Sequence, residues 1–347
     1  MNLATKYRPQ KFIDIVCQDN VKVVLQNQID TNEFKQSYLF CGSAGTGKTT
    51  SARIFANEIN KGKGRIVEID GASNNGVDNI RNLIENCKMK SLDGTYKVFI
   101  IDEVHMLSIG AFNALLKILE EPPKGTIFIL CTTDPQKIPG TILSRVQRFD
   151  FKRIPTQRIM DRLAYIIQKE NQEICERQGN EVYDGELIEY TDDALQYIAQ
   201  LAEGGMRDAI TKLDTVLGFT QNITSDAVIK CLGLTSTGLI LEIIDNIIAK
   251  EPKNILGAID SIFLEGKDLK LFIKDSIRTL LDVIKYQMGG VYNLPEACQS
   301  RVDNIIKQST PGQLLSILDS YNGLYYKIRY EHNPKILIES EMLYLCK

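Results

Sequence analysis

The sequence predicts an α/β protein: a P-loop core on a parallel five-stranded sheet, followed by a helical lid domain and an all-helical collar domain. Three observations predict it. Short β-rich apolar runs alternate with helix-length amphipathic segments up to about residue 150. A glycine-rich string lies where the first β run meets the following helix. Further along, the strand signal fades and apolar residues recur at i, i+3, i+4 and i+7, the spacing of one helix face.

The strand candidates are Ser37–Cys41, Arg65–Asp70, Lys97–Ile101, Thr126–Cys131 and Gln147–Phe151. Val21–Gln28, Thr49–Ile59, Val77–Cys87 and Ala111–Glu120 read as the helices around and between them. Strands joined by helices of this length call for right-handed crossovers and a mostly parallel sheet covered on both faces. From Thr156, the segments Gln157–Lys169, Thr191–Ala202 and Met206–Phe219 are helical by period. A third, almost entirely helical block follows Gly233, punctuated by Gly289-Gly290 and Pro311-Gly312. The expected domains are therefore 1–155, 156–232 and 233–347.

Composition narrows the function classes. With 24% charged and 44% hydrophobic residues, the 347-residue chain has ordinary globular content, too apolar for a disordered one. A formal net charge of −3 argues against a free-standing basic nucleic-acid binder, so any such contact needs a local basic surface. The stretch Met1 to Pro9 has no apolar signal-peptide core, and no apolar run approaches the roughly 20 residues that span a bilayer. The eight cysteines are scattered without a C-x-x-C pair, which fits free thiols in a reducing cytosol. The expected location is the cytosol, with no membrane partner.

Gly42-Ser43-Ala44-Gly45-Thr46-Gly47-Lys48-Thr49 fits G-x-x-x-x-G-K-[ST], entered by the β run Tyr38–Cys41 and left by a helix. Its glycines let backbone N–H groups turn inward on a β-phosphate, and the helix N-terminus adds a positive end. Lys48 then reaches the β/γ oxygens and Thr49 takes Mg²⁺, with Thr50 counted in the same binding set. Lys97-Val98-Phe99-Ile100-Ile101-Asp102-Glu103 ends an apolar strand in two acids at the carboxyl edge of the sheet, where open α/β sheets bind ligands. Alone such a pair reads as a turn. Below a phosphate loop it reads as Asp102 holding Mg²⁺ and Glu103 polarising the attacking water. The fourth strand ends in two threonines, of which Thr133 is the first choice to position water or sense the γ-phosphate and Thr132 the second. His105 has no partner at metal or triad spacing and reads as structural.

Longer strings carry a resemblance: Lys6-Tyr7-Arg8-Pro9, Glu68 through Val77, Ile101 through Leu107, Phe112 through Lys117, Leu119-Glu120-Glu121-Pro122-Pro123, Thr132 through Pro139, and Glu203 through Ala209. On these the chain resembles, over nearly all of its length, the gamma/tau subunits of bacterial DNA polymerase III, AAA+ clamp-loader ATPases. The resemblance implies ATP and Mg²⁺ as cofactors. The partners it implies are further loader subunits in a five-membered ring, a sliding clamp, primed DNA and the DNA polymerase. It implies an arginine finger at Arg145 in Ser144-Arg145-Val146, acting in trans, and a sensor arginine at Arg207. It also implies an adenine pocket lined by Tyr7, Arg8, Pro9 and Val16. Candidate DNA contacts are Asn74, Asn75, Arg81, Lys88 and Lys90.

Three departures from the family pattern stand out. Lys61-Gly62-Lys63-Gly64 occupies the place of a four-cysteine zinc module, so no zinc is expected. The usual Ser-Arg-Cys is Ser-Arg-Val, and Cys17 stands where glycine is common. The chain stops soon after Tyr330–Glu339, which matches the short, gamma-like form. Two other classes share part of this pattern. A branch-migration AAA+ motor should end in a winged helix rather than an all-helical block. A non-catalytic loader subunit typically loses the loop lysine, which this chain keeps.

Overall fold

The computed structural model describes residues 2–63, 66–88, 96–177, 187–292, 294–295 and 298–346. The chain divides into two compact units, Met1–Thr224 and Ser225–Lys347.

The first unit opens with α1 (Leu3–Lys6) and α2 (Asp19–Thr31). It continues through β1 (Ser37–Cys41), α3 (Lys48–Ile59), β2 (Ile66–Asp70), α4 (Val77–Lys88) and β3 (Lys97–Asp102). Then come α5 (Ile109–Glu120), β4 (Thr126–Thr132), α6 (Gly140–Leu143) and β5 (Gln147–Asp150). The five strands form one sheet in the order β2-β3-β4-β1-β5, every pairing parallel. Every residue of β1 and β4 is buried, which is why both read as unbroken apolar runs. Period-two alternation sorts these strands onto two cores. Tyr38, Phe40, Ile100 and Ile129 face one core with Phe55 of α3. Leu39, Phe99, Ile101, Phe128 and Leu130 face the other with Leu115 of α5, and the Phe99 and Phe128 rings stack at 5.4 Å.

This order fixes where a ligand can sit. The chain leaves β1 toward β2 on one side and leaves β4 toward β5 on the other, so the carboxyl ends of β1 and β4 flank a topological switch point. Cys41 and Thr132 are register partners there, and the Gly42 N–H donates to the Thr132 carbonyl at 3.2 Å.

Beyond the sheet run α7 (Thr156–Arg177), β6 (Glu189–Tyr190), α8 (Asp192–Leu201), α9 (Met206–Leu217) and β7 (Asn222–Ile223). The strands differ from the sequence expectation in several places, and β5 ends one residue earlier, at Asp150. Strands β3 and β4 each run one residue further, so Asp102 closes a strand rather than following it. Strands β6 and β7, two residues each, pair in parallel where only helices were expected. They are too short to leave a period-two pattern. Arg65 and Gly64, expected in the second strand and the connection before it, lie outside the described residues.

The second unit is helical: α10 (Ser225–Cys231), α11 (Thr237–Ile248), α12 (Pro252–Leu264), α13 (Leu269–Gln287), α14 (Gln299–Gln308), α15 (Pro311–Lys327) and α16 (Pro334–Leu345). Its core gathers Phe272, Ile273, Leu280 and Val283 of α13 against Leu314, Tyr321 and Leu324 of α15. The start of α15 is set by a capping box, Thr310 with Gln313, and by Pro311 in the first turn. Among the described residues, no helix is long and apolar enough to cross a membrane.

Candidate active site

The buried run of β1 delivers the chain to Gly42, whose φ of +151° brings its Cα so near Phe151 that a Cβ would lie 2.4 Å from the Phe151 carbonyl oxygen. Only glycine fits there. Gly45, at φ +72°, meets the same limit from the other side, since its Cβ would stand 3.0 Å from the Gly205 Cα. The loop between them is braced from within by the Thr46 hydroxyl, which donates to the Ser43 carbonyl at 2.8 Å. From outside, the buried Gln18 amide donates to the Thr46 carbonyl at 3.4 Å and to the Lys152 carbonyl at 2.7 Å, and accepts from the Lys152 N–H at 3.0 Å.

Lys48 starts α3 and is 5% exposed. Its Nζ donates to the Gly42 and Ser43 carbonyls at 2.8 and 2.9 Å, so the ammonium caps its own loop. Burial lowers its pKa, opposed chiefly by the nearby Glu103 carboxylate. A buried cation bonded to two neutral carbonyls is matched far better by an anionic oxygen. The glycine cradle and this lysine therefore fit a phosphate.

Behind the loop, the Thr49 hydroxyl donates to Asp102 Oδ2 at 2.7 Å, joining α3 to the end of β3. A hydroxyl and a carboxylate side by side are the hard oxygen donors that Mg²⁺ prefers. Asp102 Oδ1 accepts the Glu103 N–H at 2.9 Å. Glu103 itself holds a left-handed backbone, φ 45° and ψ 43°, which turns the chain sharply off the strand. Gly71 packs against that turn closely enough that a Cβ would lie 2.9 Å from both the Asp102 and Glu103 carbonyl oxygens.

The two threonines at the end of β4 are not equivalent. The Thr133 hydroxyl donates to Glu103 Oε2 at 3.0 Å. Thr132 is buried, accepts the Asp134 N–H at 3.0 Å, and lies 3.1 Å from His105 Nδ1. That same nitrogen is 3.3 Å from Glu103 Oε2. His105 thus has partners that its sequence spacing did not reveal. The contact arises because a tight 3₁₀ turn over Val104–Met106 folds residue 105 back on residue 103.

A cleft partly open to solvent lies along the loop, between the N-terminal segment and residues of α7 and α9. Arg8, Pro9 and Val16 line it with Gly45 through Thr50, and Ile15, Ile154 and Ile210 give it an apolar wall. Arg207, at the start of α9, lines it too, and so does Arg162 of α7, which sequence reading missed. Nothing in a mid-helix arginine marks it in sequence. The loop and α9 are joined directly, the Met206 N–H donating to the Gly45 carbonyl at 2.9 Å.

Tyr7 is not part of the lining. Its hydroxyl donates to Glu170 Oε1 at 2.6 Å, and its carbonyl accepts from Arg162 at 3.2 Å, so it ties the N-terminal segment to α7. Its neighbours Arg8 and Pro9 face the cleft while the tyrosine ring is drawn to the acid.

Arg145 is not brought to this cleft either. It is exposed after α6, paired with Glu120 and donating to the Thr141 carbonyl. Of the remaining candidates, Asn74 and Asn75 form the turn before α4. The Asn74 amide donates to the Asp70 carbonyl at 3.0 Å, and the Asn75 carbonyl accepts the Ser108 N–H at 3.1 Å. Arg81 is exposed on α4 beside Asp78, at 3.2 Å. The Lys88 side chain and Lys90 lie outside the described residues.

The sequence and fold can be set beside known proteins. A family model described as DNA polymerase III, delta subunit, matches residues 65–155. The chain is 38% identical to DNA polymerase III subunit tau of Bacillus subtilis, over 98% of this chain and 62% of the relative. It is 32% identical to the tau subunit of Escherichia coli, over 83% and 46%. It is 36% identical to DNA polymerase III subunit gamma of Buchnera aphidicola, over 93% of this chain and 88% of that one. The chain thus spans about three fifths of the Bacillus relative's length. Among solved structures, the RuvB Holliday junction branch migration motor of Thermotoga maritima superposes with a TM-score of 0.51. Identity there is 20%, over 70% of this chain and 79% of that one, and the likeness confirms the AAA+ fold. By its sequence and its fold, the chain belongs to the gamma/tau subunit family of DNA polymerase III.

Proposed function

We propose that this chain is the ATP-hydrolysing subunit of a replication clamp loader, using nucleotide binding and hydrolysis to open a sliding clamp and place it on primed DNA. The observation that carries the reading is the Thr49–Asp102 contact of 2.7 Å beside a Glu103 carboxylate held by Thr133. That constellation sets side by side the groups that metal-assisted hydrolysis would use. Lys48 would leave the loop carbonyls for the β- and γ-phosphates, with the loop N–H groups and the α3 N-terminus completing the cradle. Thr49 and Asp102 would hold Mg²⁺, which when bound offsets the negative charge of the phosphates. Glu103 would orient the attacking water.

Arg207, on the wall of the same cleft, would contact phosphate within the chain and pass its state to α9. Arg145, exposed and away from its own chain's cleft, would serve a neighbouring subunit as finger, where such arginines contribute about 10³–10⁵ in rate. Exchanging the Glu120 partner for a γ-phosphate would tie one subunit to the next in the ATP state and release it after hydrolysis. The differential affinity of nucleotide for two assemblies is what moves the equilibrium. DNA would be held through phosphates by the turn before α4 and by Arg81. The working location that follows is the bacterial cytosol, where the replication fork is.

ATP turnover of the chain, assembled with its partner subunits, should rise when sliding clamp and primed DNA are added together. If turnover is insensitive to that pair, the loader reading fails.

A further inference from the structure

Glu103 and His105 are two residues apart in a turn, and their side chains meet. Building on the hydrolytic role just proposed for Glu103, we propose that His105 is its positioning residue: the His105 Nδ1–H and the Thr133 hydroxyl together hold Oε2, leaving Oε1 to face the attacking water.

Four observations lead there. First, Oε2 takes the Thr133 hydroxyl at 3.0 Å and stands 3.3 Å from His105 Nδ1, whereas Oε1 has no hydrogen-bond partner among the described residues. Second, the ring is pinned. The His105 side chain is 10% exposed, and Nδ1 is also 3.1 Å from Thr132 Oγ1, whose hydroxyl oxygen in turn accepts the Asp134 N–H. Third, the tautomer follows from the surroundings. A bare Nδ1 lone pair at 3.3 Å from a carboxylate oxygen would be repelled, whereas an Nδ1–H can be shared between Oε2 and Thr132 Oγ1. Fourth, the backbone under both residues is constrained. Glu103 is left-handed, Val104 is fully buried, and Gly71 packs on the Glu103 carbonyl.

The physical need is plain. A glutamate side chain that is about a third exposed has three torsions to fix before it can direct a water. One donor leaves the carboxylate free to rotate about a single hydrogen bond. Two donors within reach of the same oxygen restrict that rotation. Holding Oε2 rather than Oε1 keeps the second oxygen's lone pairs directed into the site. The gain is one of geometry, and misplacement of such a group costs rate without costing substrate affinity.

The test uses conservative replacement, which separates positioning from packing. An asparagine amide nitrogen can stand where His105 Nδ1 stands, while a glutamine amide stands nearer Nε2. In the full chain assembled with its partner subunits, His105→Ala and His105→Gln should each lower kcat for ATP about tenfold or more, with the ATP KM and the melting temperature nearly unchanged. His105→Asn should stay within about threefold of the parent. Thr133→Val should behave like His105→Ala, and the double variant should lose less than the product of the two. Equal loss in Asn, Gln and Ala variants overturns the proposal, and so does a KM that rises in step with the fall in kcat. A readout independent of turnover comes from ¹⁵N-histidine NMR of the full chain, which contains only two histidines. His332→Gln identifies the other resonance. The His105 ring should show a protonated Nδ1, and Glu103→Gln should shift it. An unprotonated Nδ1 refutes the contact whatever the turnover shows. A protonated Nδ1 in a chain that never hydrolyses ATP would leave the contact standing and overturn the hydrolytic reading instead.

Discussion

Cys17 and Gln18 both hold left-handed backbone, at φ 59° and 61°. For a side chain with a Cβ that conformation costs about 1–2 kcal/mol, which explains why glycine suits position 17 in this family. Gln18 earns its strain by clamping the loop to Lys152, but Cys17 makes no comparable bond. Cys17→Gly should therefore raise the unfolding free energy by about 0.5–1 kcal/mol, after subtracting the extra freedom of glycine in the unfolded chain. Denaturant melts of the two proteins check it. Glu103→Gln keeps shape and removes the anionic oxygen. Turnover should fall about 10²-fold or more while binding of a non-hydrolysable ATP analogue holds. The acid pair and the loop lysine were legible in the sequence because their spacing is local. The placements of His105 and Arg162 were harder to read, because each depends on where a turn or a second element sets a side chain.

At the scale of elements, the phosphate loop and the start of α9 meet closely. A Cβ on Gly205 would lie 3.0 Å from the Ala44 carbonyl oxygen and 3.2 Å from that of Ala202. Gly205→Val should destabilise the protein by about 1–3 kcal/mol and weaken nucleotide binding, since the loop must shift to admit it. Titration with a fluorescent ATP analogue reads the second effect. The strands and most helices of the core were legible, because a doubly buried parallel strand writes itself as a continuous apolar run. The β6–β7 pair was not, since two residues carry no period. The connection from α3 to β2 contains no cysteine, and metal analysis of the purified protein should find no stoichiometric zinc.

For the whole molecule, thiol chemistry separates buried from exposed cysteines. Burial pushes the Cys41 thiol up to about 11 and the Cys87 thiol up to about 12, and Cys131 is raised well above its ordinary value for the same reason. Cys175 is exposed. A thiol-reactive reagent near neutral pH should label Cys175 first and reach Cys41, Cys87 and Cys131 only after denaturation, as peptide mapping would show. The proposed trans role of Arg145 belongs to this scale too. Neither Lys48→Ala nor Arg145→Ala chains should hydrolyse ATP well alone, yet mixed assemblies should recover part of the activity. No recovery at any ratio would place the finger in its own chain.

The sequence by itself determined the alternation of strands and helices in the five-stranded core, the phosphate loop, the two acids and the family, because each is written in residues that are neighbours along the chain. Only the tertiary structure decided which threonine meets Glu103, that Tyr7 turns to Glu170 rather than to the cleft, and that His105 touches the Glu103 carboxylate. Those choices depend on distances of about 3 Å between parts of the chain that packing alone brings together.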